Sequence, residues 1–247
     1  METDKTNNYE VEVSHLQISF GKEDVLTDLS LILKKGENLV VLGKSGSGKS
    51  VLIKCIIGLI DPDEGTIMVQ GNNISEQDDN NLNLIRSKVG FLFQSAALYD
   101  SMSVRENLEF PLRRQNTVKG KKLTSLVEDA LENVGLLDVI DKMPSELSGG
   151  MRKRVGLART LILKPEIMLY DEPTTGLDPI TSTEISSLIV HIQKKYKTSS
   201  IIITHDIACT KNVADRIIVI RDGVCAAEGT YKELENSEDP WIRSFFE

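Results

Sequence analysis

The stretch NLVVLGKSGSGKSVLIKCIIGLI, Asn38 to Ile60, decides the fold. Its opening run, NLVVLG, is apolar and β-branched without alternation, which suits a strand buried on both faces in a parallel sheet covered by helices. The segment from Val51 onward reads as a helix. Between them GKSGSGKS, Gly43 to Ser50, fits the spacing GxxxxGK[ST]. In such a loop the backbone amides of Gly43, Lys44, Ser45, Gly46, Ser47 and Gly48 curl around a phosphate. Lys49 brings a point charge to the β- and γ-phosphates, and Ser50 offers its hydroxyl to Mg²⁺. A glycine-rich turn without a ligand is the competing reading, and it explains the strand-loop-helix order less well.

Working outward, EIMLYDE around Leu169 and SSIIITHD around Ile202 are further unbroken apolar runs, so the core is α/β with a mainly parallel sheet. The first of them delivers Asp171 and Glu172 at a strand end. Packing explains an acidic pair there poorly, because unpaired buried carboxylates are costly. A metal explains it well: Asp171 is placed to join a Mg²⁺ shell and Glu172 to polarise a water aimed at the γ-phosphate. One of the two merely capping the next turn is the alternative. His205 ends SSIIIT, where a neutral imidazole can meet the γ-phosphate, although a lone histidine is more often a satisfied polar group. Gln94 follows VGFLF, where its amide can touch Mg²⁺ or the attacking water.

A second anion site is announced by ELSGGMRKRVGLARTL, Glu146 to Leu161. Ser148, Gly149 and Gly150 stand ahead of a basic, amphipathic helix, whose positive dipole end favours an anion. The cradle at Gly43 to Ser50 already holds one phosphate, so this second site needs another.

VEVSHLQISF, EGTIMVQG and RIIVIRDGVCAAEG alternate more, and the pair Asp222-Gly223 signals a hairpin. These segments read as antiparallel strands beside the parallel core. Between Gln94 and Ser148 the spacing turns helical, for example at Leu123, Leu126, Val127, Ala130, Leu131 and Val134. The expectation is a single domain, residues 1–247, with a helical subdomain, residues 95–164, inserted into it.

The 247 residues are 40% hydrophobic, enough for a substantial core. A net charge of -8 argues against a sequence-independent nucleic-acid binder, which needs a dominant basic footprint. Cys55, Cys209 and Cys225 are widely spaced with no CxxC pair, so neither a disulfide framework nor a zinc site is indicated. METDKTNNYE lacks the pattern of a secretory signal, and no run of about eighteen apolar residues occurs. The protein is expected inside the cell, reaching a membrane only through a partner.

The set of motifs, in this order, resembles the ATP-binding subunit of ABC transporters across essentially the whole chain, implying an ATPase that uses ATP and Mg²⁺. By that resemblance Gly43 to Ser50 form the Walker A loop, Gln94 the Q-loop and LSGGM the signature. Asp171 and Glu172 belong to Walker B, Asp178 closes the D-loop, His205 is the switch histidine, and Phe20 falls where an aromatic stacks on adenine. The family pairs two subunits head to tail, so the signature of one copy meets the γ-phosphate held by the other. The resemblance thus implies a second copy of this chain and a multispanning permease as partners, and no nucleic acid. Met151 stands where the family usually has glutamine.

GFLFQSAALYDSMSVRENLEFPL, LSGGMRKRVGLAR and EDPWIRSFFE look like the Mla/Mce-type branch, which moves lipid between bacterial membranes. That implies a lipid-binding Mce-type protein in the same complex and a place on the cytoplasmic side of the inner membrane. Another cargo, such as amino acids or drugs, stays open, as does a non-transport ABC protein acting on DNA or ribosomes, which expects coiled-coil arms or two cassettes. The apolar cluster Leu98, Tyr99, Met102 and Val104 suits either packing of the insertion or a groove for a short helix of a membrane partner.

Overall fold

The computed structural model describes residues 9–115 and 118–247. The reading of the first residues as lacking a secretory signal lies largely outside that range. In chain order the elements are β1 (Tyr9–Phe20), β2 (Glu23–Lys34), β3 (Asn38–Gly43), α1 (Lys49–Ile56), β4 (Glu64–Val69), β5 (Asn72–Asn73), α2 (Asp79–Ser87) and β6 (Val89–Leu92). Then come α3 (Val104–Arg114), α4 (Lys121–Glu132), α5 (Gly149–Leu161), β7 (Ile167–Asp171), α6 (Pro179–Tyr196), β8 (Ser199–Ile203) and α7 (Ile207–Val213). The hairpin β9 (Arg216–Arg221) and β10 (Val224–Gly229) and the short helices α8 (Tyr231–Glu235) and α9 (Pro240–Arg243) close the chain.

The strands join in the order β5-β4-β1-β2-β10-β9-β3-β8-β7-β6. From β9 to β6 every pairing is parallel. Every residue of β3, β7 and β8 is buried, as their unbroken apolar runs require. Alternate side chains serve opposite faces. Leu39 and Val41 pack with α1, β1 and β2, whereas Val40 and Leu42 pack with α5, α6 and α7. At the other end β1, β2 and β4 are antiparallel.

One registered pair, Val224 with Asp28, joins the two parts of the sheet. It is reinforced where the Thr27 amide donates to the Gly223 carbonyl at 3.0 Å and the Thr27 hydroxyl to the Asp222 carbonyl at 3.1 Å. Asp222 and Gly223 both have positive φ, 52° and 79°, the requirement of the tight hairpin that their sequence signals.

Between β6 and β7 the chain is helical. Val104, Leu108 and Leu112 of α3 meet Leu123, Val127 and Leu131 of α4 and Val155, Ala158 and Ile162 at α5. α5 also sends Leu157 and Leu161 to the sheet. It is therefore enclosed on more than one side, and Lys153 is buried within it. The sequence reads this segment as a basic, amphipathic helix; the structure shows a helix there with one of its basic side chains inside the protein.

Candidate active site

β3 ends at Gly43, and the loop that follows turns into α1 through Gly48. Its φ is 87° and a Cβ there would lie 2.7 Å from Leu26 Cδ2, so the position admits no side chain. Lys49 folds back over the loop and donates to the carbonyls of Gly43 at 2.8 Å and Lys44 at 3.0 Å. Burial pushes its ammonium below the usual lysine range, and the charges of Glu172 and Asp171 oppose that shift. The Ser47 hydroxyl is buried without a hydrogen-bond partner among the described residues.

Across the sheet β7 stops at Asp171, and the Ser50 hydroxyl donates to its Oδ1 at 2.9 Å. Glu172 comes next, with a left-handed φ of 50° that is costly for a residue carrying a Cβ. Its surroundings hold it there. The Glu172 amide donates to the Ile203 carbonyl at 2.9 Å, and its Oε2 accepts from the Thr175 hydroxyl at 2.9 Å and lies 2.9 Å from His205 Nδ1. The Glu172 side chain is 13% exposed and that of His205 63%, so the pair stands at the edge of solvent.

These groups face one cleft of about 590 Å³, lined by Phe20, Val25, Ser45, Gly46, Gly48, Lys49, Ser50, Val51, Gln94, Glu172 and His205. Most of the residues that the sequence motifs mark thus come together. Lys44 and Ser47 line the adjoining hollow, with Asp222 and Trp241. No motif marks Val25, because its part of the cleft wall exists only once β2 packs behind the loop; Val51 follows Ser50 on α1. Thr175 carries no sequence signal either.

Gln94 leads into a segment in which Ala96 and Ala97 both have positive φ, 60° and 46°. Arg159 of α5 pins it by donating to the carbonyls of Ala97 at 2.8 Å and Ala96 at 3.1 Å. Of the neighbouring apolar cluster, Val104 is fully buried and Leu98 packs on the core of α3 to α5, while Tyr99 is left exposed.

Ser148, Gly149, Gly150 and Asp178 do not line this cleft. Ser148 is the exposed N-cap of α5, accepting from the Met151 amide at 3.2 Å. Asp178 is the exposed N-cap of α6, accepting from the amides of Ile180 and Thr181. The two helix starts touch: a Cβ on Gly150 would lie 2.4 Å from Thr181 Cγ2. The N-termini of α5 and α6, each the positive end of its helix, are therefore neighbours, and Ile180 beside them is exposed.

The donor set suits Mg²⁺ with a triphosphate. Ser50 and Asp171 already pair as two hard oxygen ligands, Gln94 supplies a third, and a loop of amides with one lysine stands opposite. No group of three or more His, Cys, Asp or Glu able to hold a metal occurs among the described residues.

A strand, a phosphate loop and a carboxylate pair in this arrangement define a P-loop nucleoside triphosphatase. The family model for ABC transporters matches residues 26–175. The chain belongs to that family, as one of its ATP-binding, ATP-hydrolysing cassettes working with Mg²⁺. It is 39% identical to the "Probable ribonucleotide transport ATP-binding protein mkl" of Mycobacterium leprae over 95% of this chain and 68% of that protein. It is 37% identical to the "Intermembrane phospholipid transport system ATP-binding protein MlaF" of Haemophilus influenzae over 95% of this chain and 89% of that protein. The dimeric post-hydrolysis structure of the ATP-binding cassette MJ0796 with ADP and Pi superposes with a TM-score of 0.81 at 31% identity, covering 89% of this chain and 98% of that one. Among the described residues no helix is long and apolar enough to cross a membrane.

Proposed function

We propose that this cassette hydrolyses ATP at a composite site between two of its copies and so powers lipid movement through a separate membrane permease. The observation that carries the catalytic part is Glu172, held by Thr175 and His205 in a cleft of about 590 Å³ that Ser50 also lines, with Asp171 bonded to Ser50. Phe20 offers a π-face to adenine. Lys49 and the amides of residues 43–50 take the β- and γ-phosphates, and Ser50, Asp171 and Gln94 hold Mg²⁺. When bound, that ion neutralises charge that builds on the phosphate oxygens.

The attacking water belongs to Glu172. Both anchors of the carboxylate fall on Oε2, so Oε1 is the oxygen left to take the proton. His205 keeps the carboxylate in place and faces the γ-phosphate. Ser148, Gly149 and Gly150, with Asp178 beside them, bind the γ-phosphate in the partner copy's cleft, which explains why one chain carries two anion sites that do not meet.

For cargo, the support is the likeness to MlaF over most of that protein's length, together with the Mla/Mce-type stretches of the sequence. The mkl relative carries a ribonucleotide name, so cargo is the part of the reading that the nucleotide site does not decide. By the same likeness the permease brings a lipid-binding Mce-type protein and holds the cassette on the cytoplasmic face of the inner membrane. The test is reconstitution of the cassette with its permease in vesicles carrying labelled phospholipid. ATP-dependent phospholipid transfer that Glu172→Gln abolishes is the expected result; turnover that transfers no lipid overturns the cargo.

A further inference from the structure

Lys153 is a lysine whose head lies inside the protein. It sits one turn into α5, is 6% exposed, and its Nζ donates to the Glu172 carbonyl at 3.1 Å. Burial lowers its pKa from the usual lysine value, with the charges of Asp171 and Glu172 opposing. A buried ammonium is costly, and an apolar side chain of equal length generally serves packing as well or better. Its presence therefore calls for a reason other than stability.

The Glu172 backbone supplies one. With φ at 50° the peptide after Glu172 is set in an orientation that a residue with a Cβ does not take by default. Ile203 holds the amide side of the residue and Lys153 the carbonyl side. Further along α5, Gly156 lets the helix press on Ala96, where a Cβ would come within 2.9 Å, and Arg159 holds the Ala96 and Ala97 carbonyls. One rigid helix thus grips the backbone of Glu172 at Lys153 and the segment after Gln94 at Arg159, and its N-terminus is Ser148-Gly149-Gly150.

We propose that Lys153 is a positioning residue, which fixes the strained backbone of Glu172 and ties the orientation of that carboxylate to α5, so that an anion seated at the N-terminus of α5 sets the geometry of this same copy's Glu172. The inference rests on Glu172 being the base. It makes α5 the link between the two composite sites: occupancy of the partner's cleft reaches Glu172 of this chain through about one turn of helix. No new group enters the chemistry, since Lys153 acts through Glu172.

The test uses the full chain with Lys153→Met, Lys153→Gln and Lys153→Arg, alone and combined with Glu172→Gln. Steady-state hydrolysis of Mg-ATP gives kcat and KM, calorimetry gives the Kd of ADP, and thermal unfolding gives Tm. Lys153→Met should lower kcat by roughly 10- to 100-fold, the scale of a misplaced catalytic group. ADP affinity should change less than about twofold and Tm should hold or rise, which removal of a packing residue would not give. Lys153→Arg should recover part of the rate. On top of Glu172→Gln, Lys153→Met should cost nothing further, as for two residues acting as one unit.

Full kcat in Lys153→Met, or losses that multiply in the double variant, overturns the proposal. So does a drop in ADP affinity and Tm together in both Lys153→Met and Lys153→Gln, which makes Lys153 a packing residue. Near wild-type turnover by Glu172→Gln sinks the assignment of the base itself, a failure distinct from the others because it shows in the single variant.

Discussion

The cleft beneath Glu172 and the paired helix starts at Ser148 and Asp178 are both built for anions, yet they are built differently. In the cleft every kind of group that phosphate chemistry needs is present in one chain: amides, an ammonium, a hydroxyl-carboxylate pair and a held carboxylate. At the helix starts the capping side chains of Ser148 and Asp178 are exposed, and the bonds they accept come from their own helices' first turns, from the Met151, Ile180 and Thr181 amides and the Thr181 hydroxyl. A helix end is a general anion acceptor, whereas catalysis needs convergent groups. On the proposed function the first region binds nucleotide alone, and the second gains a ligand when another copy brings one.

The sharpest way to break this contrast is Glu172→Gln. Hydrolysis should fall by about 10² to 10⁴, the share of a general base, while ATP still binds. Gel filtration with ATP should then show an accumulated dimer, because closure no longer ends in turnover. Turnover close to wild type would remove Glu172 from its role.

Lys49→Ala attacks the same cleft at the binding step. A hydrogen bond to a charged group contributes roughly 1.5–3 kcal/mol, so ATP affinity should weaken by about 10- to 100-fold, read by calorimetry. The Gly43 and Lys44 carbonyls also lose their donor, which loosens the loop. Unchanged affinity would overturn the cradle.

The helix starts are tested by Ser148→Arg. Gly150 is the poorer choice, since any side chain there meets Thr181 within the same chain. Ser148 is exposed, and losing its cap costs α5 only about 1 kcal/mol. The variant should bind ATP as a monomer with wild-type affinity and hydrolyse it poorly. Mixed with Lys49→Ala, it forms pairs in which one composite site carries both defects and the other neither, so part of the activity should return. Loss of ATP binding by the Ser148→Arg monomer would show that the two regions share one site in one chain.

The smallest effect is expected at Tyr170, whose buried hydroxyl has no hydrogen-bond partner among the described residues and which sits on β7 in the core, one residue before Asp171. Burial raises its pKa far above the usual tyrosine value, so it stays neutral. Tyr170→Phe should leave kcat unchanged and alter stability by less than about 1 kcal/mol, by denaturant titration, because the hydroxyl contributes no bond to lose. It serves as the control that the core at β7 takes no part in the contrast.

What is local in the chain was legible in the sequence. The spacing and glycines of Gly43 to Ser50 mark a loop between strand and helix, which the structure has, and the apolar runs within NLVVLG, EIMLYDE and SSIIITHD mark the buried strands β3, β7 and β8. The order of those strands brings Asp171, Glu172 and His205 to the same sheet end as the loop. The Asp222-Gly223 turn is equally local. Tertiary structure decided the rest, where the cause lies in distant partners. Nothing local in the sequence singles out Lys153, which is buried because α5 is enclosed by two cores, and only the fold of β7 against β8 sets Glu172 at φ 50° with Ile203 on one side and Lys153 on the other. Val25 joins the cleft wall through the packing of β2, and Gly150 is closed off by Thr181 from another helix. A sequence pattern reports what neighbouring residues do to the backbone; contacts between distant segments depend on how the layers pack, which no short spacing encodes.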